Sequence, residues 1–84
     1  MLNSNPAVKI MDHSLLDARG MKCPLPVLKA RKIFKTLLPG EELTILTDDP
    51  GAPGDFQHFC EVTGYILVNE QEQEGGHCFL IRKT

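Results

Sequence analysis

Residues 20–26, Gly20-Met21-Lys22-Cys23-Pro24-Leu25-Pro26, decide how this chain is read. Gly20 lets the backbone turn sharply. Pro24 suits the first position of a helix, where a fixed φ helps and a missing N–H costs nothing. Cys23 is then the helix N-cap. Pro26 falls inside the same first turn, where N–H groups lack intrahelical partners. Leu25 and Val27 keep their donors, and both are expected to point back at the Cys23 sulfur. The helix dipole adds partial positive charge there and Lys22 adds a full one. Such a setting lowers a thiol pKa and favours the thiolate. An isolated Cys-Pro pair would more simply be a buried, inert cysteine beside a proline-started helix. The glycine before it, the second proline and the basic helix after it favour a reactive thiol.

The flanking segments supply a fold. His13–Ala18 reads as a short first strand that ends at Arg19-Gly20. A helix is expected from Pro24 to Leu38, with Val27, Ala30, Phe34, Leu37 and Leu38 as its buried stripe and Ile33 at the edge. Pro39-Gly40 stops it. Glu41–Thr47 alternates as a second strand. Asp48-Asp49-Pro50-Gly51-Ala52-Pro53-Gly54 is turn chemistry. A second helix is expected over Asp55–Thr63, capped by Asp55, with Phe56, Phe59, Cys60 and Val62 turned inward and Gly64 ending it. Tyr65–Glu70 is a third strand running on towards Glu72. Gly75-Gly76 turns a hairpin, and His77–Arg82 is the fourth strand. The order β-α-β-α-β-β fits an α/β two-layer sandwich, a four-stranded mixed sheet with both helices on one face. Cys23 then lies at the carboxyl edge of the first strand, where open α/β sheets place function.

Eighty-four residues make one domain. Residues 1–11 are polar, carry a proline and show no clean period, so they read as a flexible arm before a domain over 12–84. The opening has neither the basic start nor the apolar core of a secretory signal, and no run approaches the ~18 apolar residues of a membrane helix. A cytoplasmic protein without membrane contact is expected. Three widely spaced cysteines, Cys23, Cys60 and Cys78, do not form a disulfide framework. A zinc site drawing on His13, His58 and His77 lacks any Cys-x-x-Cys or His-x₃-His spacing. No metal and no cofactor is expected. The net charge is −2, yet the charges segregate. Arg19, Lys22, Lys29, Arg31, Lys32 and Lys35 fall in a window without an acid, and no Lys or Arg occurs from Thr36 to Ile81. The basic helix is either an ordinary solvated face or a docking surface for an acidic partner.

Several residues together resemble the TusA/SirA family of small sulfur carriers. They are Leu16-Asp17, Gly20, Cys23-Pro24-x-Pro26-Val27, Pro39-Gly40-Glu41, Asp48-Asp49-Pro50, Asp55, Phe59-Cys60, Gly64 and Leu80-Ile81-Arg82-Lys83. The likeness covers nearly everything after residue 12. It implies the same β-α-β-α-β-β sandwich. It also implies that Cys23 accepts sulfane sulfur as a persulfide from a cysteine desulfurase or rhodanese-type donor and passes it to an acceptor protein. Family members are linked to tRNA thiolation, molybdenum-cofactor metabolism and sulfur oxidation. The implied protein is a sulfurtransferase-like carrier without turnover of its own. Gly51-Ala52-Pro53-Gly54 is neutral where members often carry bases, and Tyr65 stands where a histidine is common.

Read by chemistry, Cys23 is the persulfide-forming residue. Pro24, Pro26, Lys22, Arg19 and Asp17 support it, Asp17 by holding the turn through backbone N–H groups. An acid/base role for Asp17 is disfavoured, because a nearby carboxylate opposes a thiolate. Asp48 and Asp49 look like a catalytic pair but fit turn-building better. Cys60 is in phase with the core, Cys78 fills a strand, and the three histidines are surface residues. A monomer is expected. The alternative is a non-catalytic regulatory or interaction module using the basic first helix. Direct nucleic-acid binding is not expected, since the only aromatic there, Phe34, belongs to the core. A thiol redox protein would need Cys60 or a partner thiol to resolve Cys23.

Overall fold

The structure is a computed structural model that describes residues 13–73 and 75–84. The arm expected over 1–11 lies outside the described residues. The elements are strand β1 (His13–Asp17), helix α1 (Leu25–Phe34), strand β2 (Glu42–Thr47), helix α2 (Ala52–Thr63), strand β3 (Ile66–Gln73) and strand β4 (Gly76–Arg82). They form one four-stranded sheet in the order β1-β2-β4-β3. β1 runs parallel to β2, and β4 pairs antiparallel with β2 and with β3. The sheet is mixed, as expected from the element order.

One face of the sheet carries the core. Leu43 pairs with Ile81 and Ile45 with Phe79, and all four are fully buried. Ala30 and Phe34 of α1 and Phe56, Phe59 and Cys60 of α2 complete the cluster. Both helices therefore cover this one face, because alternate strand residues share a face. The opposite face holds the intervening row Leu15, Thr44, Leu80 and Asn69. Leu15 is 62% exposed there.

Both helices differ from the sequence expectation at an end. α1 stops at Phe34, four residues before Leu38. Beyond it the turns tighten, with Thr36 N donating to Ile33 O at 2.9 Å and Leu37 N to Phe34 O at 3.1 Å. Pro39 disfavours the helical conformation at the residue before it. Lys83 reaches from the C-terminal end of the chain and donates through Nζ to Phe34 O and Leu37 O, each at 2.7 Å. The Leu37 carbonyl thereby gains a partner and the Phe34 carbonyl a second one. Leu38 consequently leaves the stripe and is 69% exposed, and Pro26 joins Ala30 and Phe34 as buried.

α2 starts at Ala52, three residues before Asp55. Pro53 is in its first turn, a position proline tolerates, so the Pro-Gly pair that reads as a turn is already helical. Gly51 is the N-cap and no side chain caps the helix. Asp55 is therefore a first-turn acid that complements the dipole, not the cap. Val62 is 71% exposed and not inward. Gly64 does end the helix, in the left-handed conformation at φ 80°. β3 is longer than read, extending to Gln73, with a bulge between Leu67 and Asn69.

Gly76 opens β4 against the end of β2. A Cβ there would run into the Thr47 carbonyl oxygen and come within 3.0 Å of Asp48 Cα. Both obstacles are backbone, so neither can rotate away. Gly76→Ala is expected to cost about 1–3 kcal/mol by overpacking. A thermal melt should show it as a drop of roughly 4–8 °C per kcal/mol for a domain of this size. An unchanged melt would mean that β4 does not approach β2 so closely.

Candidate functional site around Cys23

The parallel pairing of β1 and β2 sends the loops that follow them out at the same sheet edge. The first loop carries Cys23 and the second carries Asp48, Asp49 and the start of α2. Asp48 ties the two together, accepting from Gly20 N through Oδ1 at 3.0 Å and Oδ2 at 3.1 Å. Gly20 takes φ 84° to present that N–H, a conformation glycine adopts freely. Asp49 Oδ2 accepts from Gly51 N at 3.1 Å, and Asp49 O accepts from Ala52 N at 3.0 Å. Asp49 thus builds its own turn, as expected for both aspartates, whereas Asp48 bridges the two loops.

Cys23 is an exposed free thiol at this edge. It is not the N-cap. That position falls to Pro24 (φ −100°, ψ 16°), one residue later, behind a cis Cys23–Pro24 peptide. Leu25 N donates to Lys22 O at 2.8 Å. Its N–H is spent on closing the turn and is not aimed at the sulfur. Pro24 is exposed, while Pro26 is buried and anchors the first turn of α1.

The electrostatics reverse the sequence expectation. The Cys23 thiol is raised above its ordinary 9.0, chiefly by a hydrogen bond to the Asp55 carboxylate, then by lost hydration, then by the charges of Asp55 and Asp49. The bases near Cys23 in sequence do not set its field; carboxylates from the next loop and helix do. A carboxylate beside a thiol favours the protonated form. The lowered thiol pKa inferred from Lys22 and the helix dipole is thus corrected. Asp55 reads in the sequence as a helix cap and as one of the residues of the family resemblance, and the signal that brings it near Cys23 is topological. In a β-α-β unit with parallel strands, the residues after the second strand return to the edge where the first strand ends.

Arg19 and Asp17 pair with each other. Arg19 Nη2 donates to Asp17 Oδ2 at 2.8 Å and Nε to Oδ1 at 2.9 Å, and Arg19 N donates to Oδ1 at 3.2 Å. Arg19 is bound to this partner, and Lys22 is exposed. The Arg19 side chain, then its backbone N–H, holds the Asp17 carboxyl at about 2, below the ordinary 3.8. A group lowered on folding stabilises above its unfolded pKa and loses that effect as pH falls through the folded one. Wild type should therefore exceed Asp17→Asn in urea midpoint at neutral pH, with the gap closing between about pH 4 and pH 2. Both side chains are exposed, so the gap is small. A gap independent of pH would show that the charge of Asp17 is not what holds the turn.

Beside Pro24 a groove of ≈ 310 Å³ runs between the helices, lined by Val27, Arg31, Asp55, His58, Phe59 and Val62 among others. The outward face of α1 presents Leu25 and Leu28, each 47% exposed, among Lys29, Arg31, Lys32 and Lys35. Cys60 is buried, and burial raises its thiol pKa. Cys78 is half-buried on the helix-free face, paired with Leu46 and Gln71. No group of three His, Cys, Asp or Glu residues suited to a metal occurs among the described residues. No helix there is long and apolar enough to cross a membrane.

The stretch of sequence that carries this edge is shared with known proteins. A relative from Neisseria meningitidis is 48% identical over 65 residues, covering 77% of this chain and 88% of its own. The sulfur carrier protein TusA of Allochromatium vinosum is 41% identical over 69 residues, covering 82% of this chain and 91% of that protein. The crystal structure of a SirA-like protein from Desulfitobacterium hafniense superposes with a TM-score of 0.71 at 28% identity, over 82% of this chain and 93% of that one. The family described as sulfurtransferase TusA matches residues 14–83, a span holding both loops of the Cys23 edge and all but the first residue of the described sheet, and the chain belongs to that family.

Proposed function

We propose that the protein is a cytoplasmic sulfur carrier whose cargo rides on Cys23. The observation that carries this reading is the exposed free thiol at the carboxyl edge of the parallel strand pair, within the segment matched by the family. Transfer is redox-neutral. The Cys23 thiolate attacks the outer sulfur of a donor persulfide R–S–SH, a new S–S bond forms at Cys23, and the donor sulfur leaves as R–S⁻. The proton lost by the Cys23 thiol is balanced by the one the departing thiolate takes up. Delivery repeats the step, with an acceptor thiolate as attacker and Cys23 as leaving group. A raised thiol pKa is compatible with this chemistry. Fewer thiolates form, but each is intrinsically more nucleophilic.

The donor is a cysteine desulfurase or a rhodanese-type protein, and the acceptor serves tRNA thiolation, molybdenum-cofactor metabolism or sulfur oxidation. The outward face of α1 supports docking of an acidic partner. Leu25 and Leu28 offer apolar contact within a ring of lysines and Arg31, an arrangement that steers encounter and fixes register. Phe34 is buried, so this face has no aromatic platform for nucleic-acid bases. The test is to incubate the protein with a cysteine desulfurase and cysteine, then record intact mass. One added sulfur that is removed by a reductant is expected, and its absence would remove the carrier reading.

A further inference from the structure

The loop that carries Cys23 is held mostly by its own bonds. Met21 N donates to Ala18 O at 3.1 Å and Leu25 N to Lys22 O at 2.8 Å, and both bonds are local. Among the described residues, one N–H of residues 19–23 crosses to the β2–α2 loop. It is Gly20 N, shared between Oδ1 and Oδ2 of Asp48 at 3.0 and 3.1 Å. Gly20 is turned to φ 84° to meet them. Asp48 is itself a fixed post. It follows Thr47, the last residue of β2. Gly76 at the start of β4 packs so closely on the Thr47 carbonyl and Asp48 Cα that a Cβ there has no room. The β2–α2 loop also stands beside the cysteine, since a Cβ on Gly51 would lie 3.9 Å from Cys23 Cβ. On the other side of Cys23 the buried Pro26 anchors α1. Gly20 and Pro26 each lie three residues from Cys23, so the thiol is presented between two anchored points.

We propose that Asp48 is a positioning residue for sulfur transfer. By holding Gly20 to the end of β2, it fixes the direction in which Cys23 offers its sulfur to a docked partner. The inference rests on the carrier reading. Exchange needs the attacking sulfur nearly in line with the S–S bond that breaks. A small reagent finds that line by tumbling, whereas the S–S group of a docked protein arrives in a fixed direction. The Cys23 loop must then already point along it, and a misplacement of about 1 Å can cost 10²-fold in rate. Asp48 supplies an acceptor in the right place, not a charge, because one N–H needs one oxygen. No proton or electron passes through it, and the transfer chemistry stays as described above.

The experiment compares small and protein sulfur sources on the full chain, with loading followed by intact mass. The small source is inorganic polysulfide. The protein source is a cysteine desulfurase supplied with cysteine, or a rhodanese supplied with thiosulfate, in excess and over a range of concentrations. In Asp48→Ala the maximal rate from the donor protein falls ~10- to 100-fold while the half-saturating concentration holds, because the outward face of α1 is untouched. Polysulfide loading and iodoacetamide alkylation of Cys23 do not slow, since a freed loop leaves the thiol at least as accessible. Asp48→Asn keeps Oδ1 as an acceptor for Gly20 N and transfers as wild type does. Asp48→Glu keeps the charge but moves it by one methylene, and stays slow. Amide exchange at Gly20 follows the same order, slow in wild type and Asp48→Asn and fast in the other two. A tie that serves stability alone would lower the melting temperature of Asp48→Ala and leave the maximal rate in place, which overturns the proposal. Wild-type transfer in Asp48→Glu with loss in Asp48→Asn overturns it too, as the mark of a charge. Should Asp48→Ala not fold, that same pair decides. A wild type that takes sulfur from neither protein sinks the carrier reading and this role with it. An Asp48→Ala that loads as fast as a loading wild type sinks the role alone.

Discussion

Cys23→Ser should take up no sulfur at all, whatever the donor, while Cys60→Ser and Cys78→Ser should load almost as wild type does. The three thiols differ in access more than in chemistry. Cys23 is exposed, Cys60 is closed into the core between α2 and the sheet, and Cys78 is half-buried on the helix-free face. Sulfur transfer needs in-line approach of a partner's S–S group, which excludes a thiol only 8% exposed within the core cluster. Serine at position 23 keeps the size of the side chain and removes the nucleophile. An exposed serine there leaves stability unchanged, so loss of loading reads the chemistry alone. Serine at position 60 does the reverse. It places a hydroxyl in the core at a cost of about 1–3 kcal/mol if no partner is found, with loading retained in the folded protein. The measurement is intact mass after exposure to a desulfurase and cysteine, beside a urea melt of each variant. Sulfur on Cys23→Ser would move the cargo site elsewhere, and loss of loading in a folded Cys60→Ser would make Cys60 a second participant.

The fold was legible because its signals are local. Alternation in Glu42–Thr47, the apolar spacing of Ala30 and Phe34 and the Gly64 stop each follow from a few neighbouring residues. The errors fell where something distant intervenes. Lys83, at the other end of the chain, finishes α1 through Phe34 O and Leu37 O, and no pattern within residues 25–38 reveals that. The same holds at the site. Cys23 could be singled out from the Cys-Pro-x-Pro run, whereas the sign of its electrostatic environment could not. The window around it holds only bases, yet its pKa is set by Asp55 and Asp49 across a gap of about thirty residues. Charge near in sequence is a poor guide to charge near in space when the chain reverses into a parallel strand. Arg19, read as a support for the sulfur, differs from expectation for a local reason instead: an exposed guanidinium takes the nearest bidentate carboxylate, that of Asp17 two residues before it.

Phe79→Ala should be the most damaging single change to stability. Phe79 is fully buried on β4, paired with Ile45 on one side and Glu70 on the other. Its ring lies 5.0 Å from that of Phe56, tilted by 35°. Phe56 in turn meets Phe59 edge-on at 6.4 Å, and Phe59 lies 5.7 Å from Phe34. The four rings run as one chain from the sheet through α2 to α1, so Phe79 is where the helical layer is joined to the strands. Removing a buried phenyl ring costs about 3–5 kcal/mol through lost transfer energy and the cavity left behind. A domain's whole stability is roughly 5–15 kcal/mol, so the variant sits at the margin of folding. The urea midpoint should fall steeply with the slope unchanged. Phe79→Leu, which refills most of the space, should lose far less. The effect should reach the thiol, because Asp55 directly precedes Phe56 in α2. If Phe79 seats that helix, loosening it in Phe79→Leu frees Asp55 from Cys23 and speeds alkylation at neutral pH in a protein that is still folded. A Phe79→Ala variant as stable as wild type would break the ring chain as an account of how the two layers are held. Unchanged alkylation in Phe79→Leu would show instead that the loop carrying Asp49, tied to Gly20 through Asp48, fixes the start of α2 without help from the core.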